Sequence, residues 1–297
     1  MKLIKYIKKP ELLFYKLTNT FKFRLIPDSL FLKIVYKARV GRRLNLKNPK
    51  RFNEKIQWLK LHDRKTAYIN MVDKYESKEY VASIIGKEFI VPVLGVWNKF
   101  DDIDFSSLPN QFVLKCTHDS GGIIVCKNKE LLNIDSAKKK INYFLKKNPY
   151  WNHREWPYKN IKPRIIAEKY LENNKKEGLI DYKFYCFDGK PKYCNIGSER
   201  FSNSGVKFAF YDMEWNRASI AIEGKGIIEN NIEKPKNLEQ MICFAEKLSE
   251  GFKFLRVDFY NLDGIIYFGE LTFYPFSGFR DYIPDEWNVI FGDLLKL

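Results

Sequence analysis

Short apolar runs alternate with helical patterns along the chain, without a strict repeat. Helical spacing follows Asn53, a candidate N-cap, and recurs in segments that end at Gly86 and Gly251, two glycines suited to helix C-termini. The stretches "QFVLKCTHDSGGIIVC" and "DYKFYCFDGKPKYCNI" each place two apolar runs around a glycine-containing turn and predict hairpins. Helices and strands that mix without βαβ alternation predict an α+β fold with antiparallel sheets.

A third hairpin is predicted in "FLRVDFYNLDGIIYFGELTF", residues 254–273. Because side chains on a strand alternate between faces, the odd positions form one apolar face, and the even positions carry Arg256, Asp258 and Glu270. The predicted apolar face comprises Leu255, Val257, Phe259, Ile265, Tyr267, Gly269, Leu271 and Phe273. Two carboxylates and a guanidinium at matching positions are unusual in an apolar hairpin, since a buried charge needs a partner.

The turn of this hairpin decides which polar residues meet. A three-residue turn from Leu262 to Gly264, with a positive φ at Gly264, places Arg256 opposite Glu270. Asp258 is then a diagonal neighbour of Glu270, roughly 7–8 Å away, which allows a shared metal. A two-residue turn would put the two carboxylates on opposite faces. An ordinary surface hairpin with one weak ion pair is the alternative interpretation.

The composition bounds the size and the partners of the protein. Its 297 residues are 45% hydrophobic and 16% aromatic, enough for one large domain or two to three modules. The 52 Lys and Arg against 36 Asp and Glu give a net charge of +16. This excess predicts a negatively charged partner: phosphate groups, a nucleotide, nucleic acid or an anionic membrane surface.

The cysteines and histidines argue against a disulfide framework and against a zinc site. The five cysteines are odd in number and lack CxxC spacing, so we expect buried free thiols in a reducing compartment. They are Cys116, Cys126, Cys186, Cys194 and Cys243. The three histidines are too scattered along the chain for a metal cluster.

The N-terminal segment "MKLIKYIKKPELLFYKL" is interrupted by lysines and lacks the apolar core of a signal peptide. It predicts a basic amphipathic helix over residues 1–17, which either packs on the protein or contacts an anionic membrane surface. No apolar run approaches the roughly 20 residues of a membrane span. We expect a cytoplasmic protein, with contact to the inner membrane surface as an open alternative.

Two lysines lie inside strand patterns near groups that suit phosphates. Lys115 follows "FVL" and precedes a glycine-containing loop, whose backbone N–H groups can face phosphate oxygens. Lys183 lies in "DYKFYCF". Either lysine alone is compatible with a solvated strand position. Together with Asp258 and Glu270 they form the inventory for phosphoryl transfer, in which lysines neutralise phosphates and carboxylates bind Mg²⁺.

The order of these residues resembles the TupA-like (teichuronopeptide) branch of the ATP-grasp superfamily, found with bacterial polysaccharide synthesis. The resemblance covers roughly residues 50–297 and rests on "FNEKIQWLKLHD", "FVLKCTHDSGG", "RIIAEKYL", "DYKFYCFDGK" and "RVDFY…GELTFYPFSG". It implies an ATP-grasp fold, with the nucleotide between two antiparallel-sheet subdomains. Residues 1–70 would form a basic helical region, 71–167 the first subdomain with the lysine and glycine loop, and 168–297 the second, with the metal site.

The resemblance implies a nucleotide site on both subdomains. Its residues would be Lys115, Ser120, Gly121, Gly122, Glu168, Tyr170, Leu171 and Lys183. Lys115 would contact the ATP phosphates, with the glycine loop closing over them. Glu168 would lie near the adenine amino group, in a hinge strand whose Tyr170 and Leu171 flank the base. Lys183 would be the second phosphate-side lysine.

The resemblance also implies a metal and catalytic site on the third hairpin. Asp258 and Glu270 would hold Mg²⁺, and Arg256, with Lys183, would stabilise an acyl phosphate and the tetrahedral intermediate that follows. The superfamily usually carries a Glu-x-Asn metal pair, and here the Asn position is Thr272, a weaker ligand. The second metal is therefore the element that this sequence supports least.

The implied reaction is an ATP-dependent ligation in capsular or cell-surface polysaccharide synthesis. A carboxylate attacks the γ-phosphate of ATP, and an amine then displaces phosphate from the acyl phosphate to form an amide. One substrate would be an amino acid or other amine, and the other a uronic-acid-containing saccharide, free or linked to a nucleotide or lipid. Two alternatives stay open: a saccharide kinase with the same pocket, and a basic nucleic-acid-binding protein.

Two further features are candidates for the acceptor side. His118, in the phosphate loop, is a candidate base. The basic aromatic segment "YWNHREWPYKNIKPR", with Trp151, Arg154 and Trp156, is a candidate for sugar stacking and carboxylate binding. An aromatic-rich structural loop is the alternative for this segment.

Overall fold

The computed structural model describes residues 24–171, 179–198 and 205–297. Within these ranges the chain forms eight α-helices and thirteen β-strands, none of the helices being long and apolar enough to cross a membrane. The helices are α1 (Asp28–Val40), α2 (Phe52–His62), α3 (Ala67–Val72), α4 (Glu76–Ile85), α5 (Ile134–Leu145), α6 (Tyr150–His153), α7 (Leu238–Ser249) and α8 (Glu286–Leu294). The basic helix predicted at residues 1–17 lies outside the described residues.

A four-stranded antiparallel sheet occupies the first half of the chain, in the spatial order β1–β4–β2–β3. Its strands are β1 (Val93–Trp97), β2 (Phe112–Cys116), β3 (Ile123–Cys126) and β4 (Ile165–Lys169). The predicted hairpin in "QFVLKCTHDSGGIIVC" is the β2–β3 pair. Helix α5 lays Ala137 and Ile141 on Phe112 and Leu114, so this sheet has a hydrophobic core of its own.

A larger sheet follows, in the order β10–β7–β6–β5–β11–β12, with β8 also paired to β7. All its neighbours are antiparallel except β10, which runs parallel to β7. Its strands are β5 (Asp181–Phe187), β6 (Lys190–Ser198), β7 (Lys207–Asp212), β8 (Arg217–Ala218), β10 (Gly226–Ile227), β11 (Phe254–Leu262) and β12 (Ile265–Thr272). A short antiparallel pair joins β9 (Ala221–Ile222) to β13 (Tyr282–Ile283). The predicted α+β fold with antiparallel sheets is confirmed.

Helices α2 and α3 pack into the core of the larger sheet. The ring of Phe52 on α2 lies 5.1 Å from Phe254, 6.0 Å from Phe187 and 5.8 Å from Phe291 on α8, measured between ring centroids. Edge-to-face packing of this kind adds to the free energy of area burial. The aromatic cluster covers one end of the sheet face that carries the even residues of β11, and the rest of that face holds the polar site.

The start of α2 differs from the prediction at Asn53. The helix begins two residues earlier than an N-cap at Asn53 would give, at Phe52, with Arg51 as the N-cap. The Glu54 carboxylate accepts hydrogen bonds from the backbone N–H groups of Lys50 and Arg51. Asn53 instead donates its side-chain amide to the Arg280 carbonyl, a tertiary contact that the local sequence does not encode.

The five cysteines are free thiols, and four of them are buried as predicted. These four are Cys116, Cys126, Cys186 and Cys194. The prediction is wrong for Cys243, which is exposed. Cys243 lies on α7, whose buried face is formed by Met241, Phe244 and Leu248, so an apolar neighbourhood in the sequence did not mean a core position.

Gly292 provides a test of how closely α8 packs against the start of α2. A β-carbon at this position would lie 2.0 Å from the Lys50 carbonyl oxygen and 3.1 Å from the Phe52 nitrogen. Gly→Ala in a helix normally stabilises by about 1 kcal/mol, but here we expect Gly292→Ala to lower the free energy of unfolding by about 1–3 kcal/mol, because backbone must move. Urea unfolding measures the change. Val289→Ala, at an exposed position of the same helix, is the control, and a stabilised Gly292→Ala would contradict the packing.

Candidate functional site

The third hairpin is closed by a two-residue turn. Leu262 pairs with Ile265, and the turn residues Asp263 and Gly264 have φ values of 50° and 84°. Positive φ at both central positions is the requirement of a type I′ turn, which Asp-Gly satisfies. The expected three-residue turn is therefore wrong, although the positive φ at Gly264 is confirmed.

A β-bulge corrects the register that this short turn would otherwise give. Phe259 pairs with Phe268 and Asp258 pairs with Glu270, so Gly269 is the extra residue on β12. Asp258 and Glu270 thus lie directly opposite each other rather than on a diagonal, and Arg256 lies opposite Thr272 rather than Glu270. The absence of a side chain at Gly269 suits the bulge, because a β-carbon there would lie 3.0 Å from the Asp258 carbonyl oxygen.

The bulge also changes the apolar face of β12. Ile266 and Phe268 are buried, whereas Ile265 is exposed and Tyr267 is half-buried. The predicted apolar face is therefore wrong at residues 265 and 267, between the turn and the bulge. Beyond the bulge the prediction holds, with Leu271 buried.

Three strands bring a lysine and two carboxylates into one row. Lys183 on β5 lies opposite Asp258 on β11, which lies opposite Glu270 on β12. The Lys183 ammonium donates to Asp258 Oδ2 at 2.9 Å and lies 3.5 Å from Asp181 on its own strand. This register brings Lys183, Asp258 and Glu270 together.

Arg256 joins the row to the next residue of β12. Its guanidinium donates to both oxygens of Asp258 at 2.7 Å, and its Nη2 also donates to Glu270 Oε1 at 3.0 Å and to Thr272 Oγ1 at 2.9 Å. The Thr272 hydroxyl in turn donates to Glu270 Oε1 at 3.0 Å. Arg256, Asp258, Glu270 and Thr272 therefore form one network, with Arg256 as its centre.

The charges of this network hold one another in their ionised forms. Burial lowers the pKa of Arg256 and of Lys183, but Asp258 and the other acidic groups around them together outweigh burial and raise both pKa values. Burial raises the pKa of Glu270, but Arg256, Lys74 and Lys183 outweigh it and lower the pKa of Glu270 to about 2. Because 47% of the Glu270 side-chain surface is exposed to solvent, its charge faces the open side of the site.

A second charged cluster lies on the smaller sheet. The Glu168 carboxylate on β4 binds two lysines: Lys78 on α4, with Nζ 2.7 Å from Oε1, and Lys115 on β2, which contacts Oε2. Burial raises the pKa of Glu168, but the two lysines outweigh it and lower the pKa to about 2. Lys115 and Glu168 are thus adjacent, and both oxygens of Glu168 are already engaged by lysines.

Lys78 and Lys74 are members of the site that the sequence analysis missed. The helix predicted from residue 73 begins at Glu76, and Asp73 accepts hydrogen bonds from the N–H groups of Tyr75 and Glu76. Lys78, four residues after Lys74, contacts Glu168. The charge of Lys74 acts on Glu270. The signal in the sequence was this pair of lysines at the start of a helix. Such a pair is also typical of a solvated helix face, so it did not identify a site by itself.

The glycine loop between β2 and β3 shows that it can hold an anion. The Asp119 carboxylate accepts hydrogen bonds from the N–H groups of Gly121 and Gly122, the latter at 2.9 Å. Ser120 at the tip is exposed. Since both N–H groups face one negatively charged oxygen, the loop has the geometry of a backbone anion nest.

His118 occupies a structural position rather than an accessible one. Its side chain is buried, and Nε2 donates to the Lys147 carbonyl oxygen at 3.0 Å. Burial lowers its pKa. The candidate role of His118 as a base on the acceptor side is therefore not supported by its environment.

Arg154 is also structural, which corrects the interpretation of its segment. The guanidinium is 1% exposed, lies 3.2 Å from Asp28 of α1 and stacks over the rings of Phe31 and Trp151. A carboxylate of a substrate cannot reach a group buried under α1. Trp151 and Trp156 are both half-buried, and Tyr170 and Leu171, at the end of β4, are likewise half-buried.

Comparison with known families assigns the chain. The sequence profile of the TupA-like ATP-grasp family matches residues 54–296, which is most of its length. The chain belongs to the TupA-like ATP-grasp family. The resemblance inferred from the motifs is thereby confirmed, and so is the ATP-grasp fold class.

Solved structures similar to this TupA-like ATP-grasp protein are distant ones. D-alanine–D-alanine ligase from Helicobacter pylori has a TM-score of 0.43 and 14% identity, covering 82% of this chain and 69% of that one. The enzyme from Bacillus anthracis, complexed with ATP, has a TM-score of 0.40 and 20% identity, covering 68% of this chain and 53% of that one. The chain thus spans about half the length of the latter. No curated protein matches the chain.

The oxygen ligands of this TupA-like ATP-grasp protein fit a particular kind of metal site. In the described ranges, no group of three or more His, Cys, Asp or Glu could hold a metal by itself. Asp258, Glu270 and Thr272 offer two carboxylates and a hydroxyl on facing strands. Mg²⁺ is typically held by one or two carboxylates while waters and substrate phosphates complete its shell. The donor set fits a Mg²⁺ that arrives with a nucleotide.

Proposed function

We propose that the protein is an ATP-dependent carboxylate–amine ligase that forms an amide bond through an acyl phosphate. The observation that carries the proposal is the row Lys183–Asp258–Glu270, with Arg256 hydrogen-bonded to both carboxylates. Cations and metal-binding carboxylates on one rigid sheet are what phosphoryl transfer requires, because its catalysis is mainly positioning and charge stabilisation. Membership of the ATP-grasp family supports the proposal.

Both charged clusters have a place in nucleotide binding under this proposal. Lys115, with Lys78 beside it, neutralises the ATP phosphates, and Lys183 meets them from the larger sheet. The loop of Ser120, Gly121 and Gly122 covers the phosphates when the Asp119 carboxylate yields its two N–H groups. The adenine lies along the end of β4, against Tyr170 and Leu171, and the Glu168 carboxylate orients the two lysines rather than the base.

The hairpin residues hold the metal and the reacting groups. Asp258, Glu270 and Thr272 are the proposed Mg²⁺ ligands, and the ion supplies neutralisation of phosphate charge when it is bound. Arg256 stabilises the negative charge that develops on the acyl phosphate and on the tetrahedral intermediate. The Glu270 side chain is 47% exposed. A metal can therefore approach it without breaking the Arg256–Asp258 pair.

The chemistry consists of two substitutions that share this site. A substrate carboxylate oxygen attacks the γ-phosphorus of ATP, the bond to the β-phosphate oxygen breaks, and ADP leaves. An amine nitrogen then attacks the acyl carbon, phosphate leaves, and the nitrogen loses a proton to form the neutral amide. Holding both substrates in one cleft supplies the proximity on which such reactions depend, and exclusion of water protects the acyl phosphate.

We base the proposed substrates on the polysaccharide branch of the family and on the charge of the protein. A uronic-acid-containing saccharide, free or linked to a nucleotide or lipid, supplies the carboxylate, and an amino acid or other amine supplies the nitrogen. The net charge of +16 suits an acidic saccharide. A cytoplasmic location, contact of residues 1–17 with the inner membrane surface, and division into functional regions at residues 70 and 167 belong to the same proposal.

The nucleotide site is tested by thermal unfolding with ATP, with and without Mg²⁺. A ligand at a hundred times its Kd stabilises a fold by about 2.7 kcal/mol, so wild type should show a clear Mg²⁺-dependent rise in Tm. Glu270→Gln keeps the size of the side chain and should lose most of the Mg²⁺-dependent part. Glu246→Gln, on α7 and outside the site, is the matched control and should behave as wild type.

Product analysis then separates the ligase from the alternatives. Amino acids and uronic acids are screened for amine-dependent release of ADP, and the product is identified by mass spectrometry. An amide confirms the ligase, whereas a phosphorylated saccharide formed without an amine would identify a kinase. Binding of oligonucleotides that weakens with salt and needs no Mg²⁺, without any response to ATP, would instead favour the nucleic-acid interpretation.

A further inference from the structure

A carboxylate that the proposed chemistry has not used lies beside the hairpin site. Glu155 lies two residues after the end of α6, and its Oε1 accepts a hydrogen bond from the hydroxyl of Ser277. Ser277 belongs to the 3₁₀ helix Pro275–Gly278, which begins three residues after Thr272. The chain segment that ends the metal-binding strand therefore turns back and holds Glu155 next to the site.

The backbone that holds Glu155 is in an unusual conformation. Phe276 and Ser277 have φ values of 50° and 56°, a left-handed region that residues with a β-carbon seldom adopt. Such residues cost roughly 1–3 kcal/mol each, persist only when the surroundings enforce them, and cluster at binding sites. Here the conformation presents the Ser277 carbonyl to Lys60 and the Ser277 hydroxyl to Glu155.

Lys60 lies close to Glu155 but does not neutralise it by direct contact. Its side chain is fully buried, and its ammonium donates to the carbonyls of His153 at 2.9 Å and Ser277 at 2.8 Å. The ring of Phe279 lies 4.5 Å from the same nitrogen. Two carbonyls and an aromatic ring therefore bind the Lys60 cation, and among the described residues Glu155 has no ion pair within 4.0 Å.

The second carboxylate oxygen of Glu155 is available. Only Oε1 receives a hydrogen bond within the described part of the chain, and the residue is half-buried rather than sealed. The charge of Glu270 acts on Glu155, and both charges act, with that of Arg256, on the Tyr158 hydroxyl. Glu155 therefore lies within electrostatic range of Glu270.

The electrostatics of Glu155 favour the arrival of a cation. Burial raises the pKa of Glu155, Lys60 and the Ser277 hydroxyl oppose this rise, and Glu270 adds to it. A carboxylate that is partly desolvated and repelled by a second carboxylate gains more from an added positive charge than one in water does. The hydroxyls of Tyr158 and Tyr274 also lie within electrostatic range of Glu155.

We propose that Glu155 is the binding residue for the ammonium group of the nitrogen substrate, held by Ser277 at the side of the Arg256–Glu270 pair. The inference rests on the proposed ligase function, because it is that reaction which needs an amine beside the acyl phosphate. A primary amine binds as an ammonium ion that donates to Glu155 Oε2, and it loses one proton to water before its nitrogen attacks the acyl carbon. Arg256 has the role proposed above, the stabilisation of the acyl phosphate. The proposed substrate is therefore a primary amine whose nitrogen is not acylated.

The test measures amine binding directly, separately from ATP binding. Thermal shifts are recorded for wild type and Glu155→Gln with a non-hydrolysable ATP analogue and Mg²⁺, then with each standard amino acid, ethanolamine and putrescine. At least one amine should raise the Tm of wild type, and its N-acetyl derivative should not. Loss of a hydrogen bond to a charged group predicts an affinity roughly ten- to a hundredfold weaker in Glu155→Gln. The shift with the ATP analogue should be retained.

Two further variants separate binding from a structural role. Glu155→Asp keeps the charge on a shorter side chain and should bind the amine with intermediate affinity, and Glu246→Gln should bind it as wild type does. An amine shift that is equal in wild type and Glu155→Gln, or no amine shift in wild type that responds to the ATP analogue, overturns the assignment of Glu155. Absence of any shift with the ATP analogue would instead overturn the proposed function.

Discussion

Asp258→Asn should destabilise the protein and abolish its ATP-dependent activity. Asp258 is 1% exposed and is the common partner of Arg256 and Lys183, both of which are buried. Breaking a buried pair by removing one partner costs about 3–5 kcal/mol, because the remaining charges are left uncompensated. Asp181 and Glu270 retain part of the compensation. We therefore expect a loss near 3 kcal/mol, at the lower end of that range.

Urea unfolding followed by tryptophan fluorescence measures this loss, with an unchanged m-value as the sign that only stability has changed. Asp263→Asn, in the turn of the same hairpin, is the matched control, since Asn tolerates the positive φ of that position. The double variant Lys183→Met/Asp258→Asn should recover part of the stability, because it removes one of the two unpaired cations. A single variant as stable as wild type would show that the cluster is solvated.

The activity of Asp258→Asn should fall by at least a hundredfold, the cost of removing one preorganised charge-stabilising group. The comparison is made at a temperature where the variant is fully folded, as shown by its unfolding curve. Amine-dependent release of ADP is the readout. Asp263→Asn should retain wild-type turnover, so a comparable loss in both variants would contradict a specific role for Asp258.

The sequence was informative where the conformation of a turn is determined by the turn residues themselves. Asp188-Gly189 and Asp263-Gly264 were both recognised as turns, and both have positive φ at the two central residues. Strand parity then placed Arg256 and Asp258 on one face, as observed. The two sheets bring Lys115 next to Glu168, and Lys183 next to Asp258 and Glu270.

The register of the third hairpin could not be obtained from periodicity. A bulge inserts one residue and shifts the phase of a period-two pattern, but here the shift is hidden because Ile265 and Tyr267 are as apolar as Ile266 and Phe268. The expected geometry combined a wrong turn length with a missing bulge. Glu270 still lies on the expected face but opposite Asp258 instead of Arg256, whereas Ile265 lies on the wrong face. Gly269 was available as a signal but was assigned to the apolar face.

Tertiary contacts account for the remaining misses. Lys78, Lys74 and Glu155 are polar residues of ordinary local sequence, and only the packing of α4 and of the loop after β12 brings them to the site. Arg154 resembled a substrate-binding residue because its aromatic neighbours are apparent in the sequence, whereas the helix α1 that buries it lies more than a hundred residues away. Burial of a charge is decided by distant parts of the chain.

Glu168→Gln should produce a stability loss that depends on pH. The carboxylate is buried between Lys78 and Lys115, and its pKa is lowered to about 2 from the 4.5 of an unperturbed glutamate. A lowered folded-state pKa means that the charge stabilises the fold at pH values above the unfolded pKa. This contribution is lost as the pH falls through the folded pKa. A difference of this size corresponds to about 3 kcal/mol at neutral pH.

The measurement is the difference in free energy of unfolding between wild type and Glu168→Gln at several pH values from 7 to 3. Other titrating groups are common to both proteins and cancel in the difference. We expect about 3 kcal/mol at pH 7, little change down to pH 5, and a fall to roughly half by pH 3. Glu130→Gln, which removes an exposed carboxylate after β3, controls for the loss of an acidic group in general.

The same variant tests whether Glu168 orients the two lysines. With the carboxylate replaced, Lys78 is left buried without its partner, and burial already lowers its pKa against the opposing charge of Glu168. Glu168→Gln should therefore weaken the shift given by ATP more than the shift given by adenosine, because the lysines meet the phosphates. Equal weakening of both shifts would instead indicate that Glu168 contacts the adenine. A stability difference that is constant from pH 7 to 3 would show that the charge of Glu168 does not stabilise the fold.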